Sequence, residues 1–193
     1  MESDPPYLVL GYPALPNGYN PFTCPDHAPG EGAKYFPVWV SGYYKHGDQQ
    51  DQYEFRIPQE EPKPTIFTMS EPDIHSALHP EPAAPGGTDD LLLNANTDLT
   101  GRVWDSLRRR ALYITEPADN ATAPVQKEWN DIELRHIWCE QSPWVCVYAI
   151  RCLKAEVAEV SKTGKTLRPI TTAKFSGGNH FVSHVTFRRI AIY

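Results

Sequence analysis

The chain has 193 residues, of which 40% are hydrophobic and 22% charged, and a formal charge of −6. That length suffices for one domain with a real core, and the acidic balance argues against nucleic acid or an anionic membrane surface as a partner. No stretch is apolar for long enough to span a bilayer, and the opening MESDPPYLVLGY has Glu2 and Asp4 but no basic residue, which makes a poor signal peptide. Nineteen prolines, about twice the ordinary share, keep long uninterrupted helices few. Cys24, Cys139, Cys146 and Cys152 form no C-x-x-C pair, and no histidine cluster has zinc spacing. They read as buried reduced thiols of a cytoplasmic protein, with no metal and no cofactor expected.

Residues 1–30 begin apolar and become rich in Pro and Gly, as a strand end running into a loop would. In 31–46, Tyr35, Trp39 and Tyr43 are four apart and share one face of a helix starting near Pro37. Such an aromatic stripe is either core packing or the wall of an apolar substrate pocket, and Trp39 and Tyr43 are the substrate-binding candidates. Residues 56–90 hold seven prolines and the pair Gly86-Gly87. One short helix fits at 70–78, capped by Ser70, with Glu71 and Asp73 in its first turn. The rest is extended, either an excursion over a site or a surface loop. Residues 97–114 form a helix with an apolar stripe at Leu99, Val103, Leu107 and Leu112, and Arg108, Arg109 and Arg110 near the end that favours cations. A polar connector spans 115–130.

The last third is the most legible. Residues 132–139 alternate as a strand; Ser142 suits an N-cap, and Pro143 the first helical position. A helix of about twenty residues follows, ending at Gly164, and then a strand at 169–175. Strand, helix and strand at this length make a βαβ unit with two parallel strands and a right-handed crossover. The run FSGGNHF at 175–181 then turns on two glycines. It presents His180 at the carboxyl end of a strand, where open α/β sheets bind ligands. A neutral imidazole there can act as a general base oriented by a carboxylate, or serve as a loop histidine with a structural hydrogen bond. Glu140, at the end of the preceding strand, is one candidate orienting acid; its alternative role is an acid at a helix N-terminus, favoured there by the helix dipole. Asp4 is the second candidate acid. His136 reads as strand packing, and no further ligand joins His184 to His180. The chain contains no G-x-S-x-G motif, and none of its nine serines lies in an elbow context.

In order along the chain, DPPYLVLGYP (4–13), FPVWVSGYY (36–44), PAAPGGTDDLLL (82–93), IWCEQSPW (137–144) and GGNHF (177–181) together resemble the α/β-hydrolase family, and within it a group of fungal proteins with an elaborate cap. The resemblance implies the C-terminal portion of an α/β-hydrolase fold, with a largely helical, Pro-rich cap and a parallel βαβ unit. Residues 1–13 would end a core strand, 14–130 would form the cap, and 131–193 would be the C-terminal βαβ. His180 would match the triad histidine, with Glu140 or Asp4 as the acid, and the substrate would be ester-like or small and apolar. The usual aspartate motif is not seen at Glu140, and VTFRRIAIY (185–193) is strand-like where the family has an acidic helical tail. The nucleophile elbow and oxyanion loop would lie upstream of Met1, so the chain reads as truncated, inactive alone, and prone to associate through an exposed sheet edge. A non-catalytic module binding a ligand or partner through Trp39, Tyr43, Tyr44 and Tyr53 is the alternative, and a remnant with no function of its own is the third reading.

Overall fold

Two parallel strands and the helix that joins them organise the structure. It is a computed structural model and describes residues 4–28, 30–79, 81–84, 86–89, 91, 97–114, 132–163 and 165–181. In chain order the main elements are α1 (Gly32–Val40), α2 (Glu71–Ala77), α3 (Thr97–Leu112), β1 (Leu134–Cys139), α4 (Trp144–Thr163) and β2 (Ile170–Phe175). Short 3-10 helices occupy Thr65–Thr68 and Glu81–Ala83. The chain is therefore α/β, and the expected βαβ unit is present. β1 and β2 pair in parallel, from Leu134 opposite Ile170 to Cys139 opposite Phe175.

Backbone groups in a strand point alternately to either side, and this places a third segment. Leu134 N–H donates to Pro169 O and Glu140 N–H to Phe175 O, so the even-numbered residues of β1 face β2. On the odd-numbered side, Asp4 N–H donates to Ile137 O at 2.7 Å. Asp4 thus lies along the edge of β1 opposite β2. Its φ of 60° is left-handed, a conformation Asp adopts more readily than most residues.

α4 packs because its apolar residues recur at helical spacing. Ile150, Leu153, Val157 and Val160 lie against Leu134, Trp138 and Ile170 of the strands and against Leu112 and Tyr113 at the end of α3. Burying a Leu or Ile side chain is worth about 1.5–3 kcal/mol, so this face holds α3, α4 and the sheet together. Arg108 adds a polar joint, with only 7% of its side chain exposed. It bonds Glu156 of α4 at 3.0 Å and Leu10 O, and Glu156 also accepts from the hydroxyls of Tyr12 and Tyr113. The first turn of α4 enters a second, aromatic core. Trp144 stacks on Tyr7 at 5.4 Å and donates its indole N–H to Tyr19 O, beside Trp39, Val40 and Tyr44.

α2 forms as expected, with the Ser70 hydroxyl accepting from Asp73 N–H. α1 does not run through Tyr43. It stops at Val40, and Ser41 closes the turn by donating its hydroxyl to Pro37 O. Pro37 sits inside α1 rather than at its start. Parallel strands are ordinarily covered on both faces, yet residues 171–175 of β2 are exposed. No described helix is long and apolar enough to cross a membrane. The polar connector 115–130, Gly164, His184 and the terminal run 185–193 lie outside the described residues.

Candidate functional site

β1 ends at Cys139 and β2 at Phe175, and two loops leave the sheet there side by side. Gln141 N–H donates to Gly178 O at 2.9 Å, joining the loop after β1 to the loop that carries His180. Gly177 has a φ of 72°, the left-handed conformation that its lack of a Cβ permits, as the glycine pair suggested. The next residue but one, Asn179, is 1% exposed. Its amide donates to Ser41 O at 2.6 Å and Thr65 Oγ1 at 2.8 Å, and its carbonyl accepts from Phe181 N–H at 3.0 Å. Asn179 thereby pins the histidine loop to the segments after α1 and at Thr65–Thr68.

His180 faces Asp4. The imidazole Nδ1–H donates to Asp4 Oδ2 at 3.2 Å, a span of 176 residues along the chain. The carboxylate is 1% exposed and the imidazole 31%. Two further donors hold Asp4: Cys139 N–H reaches Oδ1 at 3.1 Å, and the Ser142 hydroxyl donates to Oδ2. A buried carboxylate needs such partners, because an unpaired one is strongly disfavoured. Among the described residues nothing engages His180 Nε2, while Nδ1 is held.

Cys146, in the first turn of α4, completes the cluster. Its Sγ lies 3.6 Å from His180 Nδ1. Full burial, with the Asp4 carboxylate nearby, pushes the Cys146 thiol well above its ordinary pKa, and burial pushes Cys139 up to about 12. Neither is a ready thiolate nucleophile.

The other site candidates go elsewhere. Glu140 bonds Lys174 at 2.6 Å on a half-exposed surface, and that bond is the main reason its carboxyl is held below the usual range. Of the two candidate acids, the structure brings Asp4 and not Glu140 to His180. Glu140 directly follows β1 but turns toward β2, whereas Asp4 approaches from the opposite edge. Trp39 and Tyr43 are 7% and 9% exposed, and both spend their polar atoms internally. Trp39 donates to Phe55 O, and the Tyr43 hydroxyl accepts from Thr65. Trp39 also borders a hollow of about 540 Å³ with Tyr19, His27, Tyr35 and Arg56, which Tyr43 does not line. His27 stacks on Tyr35 at 4.3 Å, and Arg56 lies over Tyr19 at 4.9 Å. His136 sits partly buried in β1, as packing would have it.

Sequence reasoning missed Cys146, Asn179 and the role of Ser142, which was expected only as a cap. The partners of Asn179 lie 138 and 114 residues away, and no local pattern marks them. What the cluster can do is set by its parts: a buried acid, a partly exposed imidazole held through Nδ1, and an adjacent thiol. No family model, curated protein or solved structure matches the chain.

Proposed function

We propose that Asp4 and His180 are the acid and base of a serine-type hydrolase of the α/β-hydrolase kind, acting on an ester-like or small apolar substrate. The observation that carries this reading is the 3.2 Å contact between a buried carboxylate and His180 Nδ1, at the carboxyl end of parallel strands. Asp4 holds the tautomer whose Nε2 lone pair can take the proton of an attacking hydroxyl, and it stabilises the imidazolium that forms. Asp4 is a positioning residue and His180 the catalytic base. In this reading the nucleophile and oxyanion donors come from residues other than these 193, because no serine here stands in an elbow motif. The chain alone then lacks most of the rate acceleration.

The test compares this chain with the native species that contains it, using a fluorophosphonate probe and an activated ester. The native species should label and turn over the ester, and both Asp4→Asn and His180→Ala should abolish turnover. This chain alone should do neither. Native turnover that survives His180→Ala would refute the acid–base assignment. His180-dependent turnover by this chain alone would refute the separate nucleophile. A second reading, a ligand-binding module, is favoured by the hollow beside Trp39, where Arg56 is already paired with Asp26 at 3.0 Å and the rings of Tyr19, His27 and Tyr35 suit a flat apolar ligand. Saturable binding of an uncharged aromatic compound that survives His180→Ala and is lost in Tyr35→Ala would support it.

A further inference from the structure

We propose that Asp4, Cys146 and His180 form a binding site for a thiophilic divalent cation of the zinc type. Among the described residues they are the one group of three such side chains whose ligand atoms converge, all within 4.8 Å of one another. The spacing is close to what a tetrahedral metal needs. Tetrahedral zinc takes nitrogen and oxygen at about 2.0–2.2 Å and sulfur at about 2.3 Å, which sets ligand-to-ligand edges of about 3.3–3.6 Å. The observed edges from Nδ1 are 3.6 Å to Cys146 Sγ and 3.2 Å to Asp4 Oδ2. Sulfur, imidazole and carboxylate together also suit zinc rather than calcium or magnesium, which prefer oxygen alone.

Each ligand is held from behind, as metal ligands usually are. Cys139 N–H and the Ser142 hydroxyl fix the Asp4 carboxylate. Asn179 fixes the loop bearing His180. The helical backbone of α4 fixes Cys146, whose N–H donates to Pro143 O. The partial exposure of the imidazole gives a route in and leaves the fourth position to water. Binding replaces two protons at the ligand atoms. The Cys146 Sγ–H proton passes to solvent, and the imidazole takes the tautomer protonated on Nε2, so that Nδ1 offers its lone pair. No electron transfer is involved. That tautomer cannot act as a base through Nε2, so the cation would switch off the proton transfer proposed above. The site itself stands on geometry and does not depend on that reading.

The probe is Co²⁺ added to the whole chain under anaerobic, reducing conditions. The expected result is one Co²⁺ per chain, with a thiolate-to-cobalt charge-transfer band and the strong visible absorption of tetrahedral coordination. Zn²⁺ should displace the Co²⁺ and raise the Tm. Cys146→Ser should lose the charge-transfer band, and His180→Ala should weaken binding by more than the about 10–100-fold that outer-shell changes cost. If Cys146→Ser does not fold, His180→Ala decides alone, since that imidazole is on a loop and partly exposed. Absence of the band in the native chain, a band that survives Cys146→Ser, or unchanged affinity in His180→Ala would overturn the proposal. These arms read Co²⁺ binding by this chain and not ester turnover, so failure here leaves the hydrolase reading to its own test.

Discussion

Replacing Asp4 by Ala and by Asn separates its structural role from its chemical one. Ala removes the acceptor for Cys139 N–H and for the Ser142 hydroxyl, both in residues with no exposed surface. Each buried donor left without a partner costs about 1–3 kcal/mol. An Ala at a left-handed φ of 60° adds about 1–2 kcal/mol. The sum, about 3–8 kcal/mol, is a large part of the about 5–15 kcal/mol that holds an ordinary domain folded. Asn keeps a carbonyl for Cys139 N–H, can donate its amide to Ser142 Oγ, and tolerates the same φ, so it should cost about 1 kcal/mol. Asn nevertheless presents N–H where Asp4 Oδ2 met His180, and so favours the opposite imidazole tautomer. In a working triad that change alone costs about 10⁴ in kcat. Urea unfolding followed by tryptophan fluorescence measures the stability terms, because Trp39 and Trp144 are buried reporters. If Asp4→Ala stays within about 0.5 kcal/mol of the native chain, or if Asn costs as much as Ala, the carboxylate does not hold the two loops together as argued.

Two further predictions follow from neighbouring residues. Asn179→Ala removes two donated bonds and one accepted bond in a buried setting, which should cost about 2–4 kcal/mol. Amide exchange at Phe181 should quicken while the middle of α4 stays protected; unchanged protection at Phe181 would show that Asn179 does not anchor the loop. His46 accepts Glu54 N–H at Nδ1 (3.1 Å) and donates Nε2–H to Ser142 O (2.8 Å), so its neutral form satisfies both nitrogens. Burial, the largest cause, holds its folded pKa below the ordinary 6.5, and burial does the same at His136. The unfolded chain therefore binds more protons between the folded pKa and 6.5. The stability from the neutral rings is fully present above that pH and falls as the pH drops through the window. Stability in urea at decreasing pH should show this decline, and His46→Gln should reduce it. A His46 resonance titrating at or above 6.5 would contradict the argument.

The sequence by itself determined what local physics controls. Ser70 with Glu71 and Asp73 announced α2, and Ser142 followed by Pro143 announced the start of α4. The turn at Gly177 and Gly178 announced that His180 leaves the end of a strand. These features depend on backbone geometry and side-chain period within a few residues, which the chain displays directly. Only the tertiary structure decided which acid meets His180. Glu140 and Asp4 both stood at strand ends on paper, but Lys174 takes Glu140, while Asp4 lies on the other edge of β1, where Cys139 N–H and Ser142 point inward. It also decided that Tyr43 belongs to the core rather than to a helix face, and that Cys146 and Asn179 stand at the site. The physical reason is common to all of these. A buried polar group takes its partners from whatever the fold brings within hydrogen-bond reach, and for Asp4 and Asn179 those partners came from more than a hundred residues away.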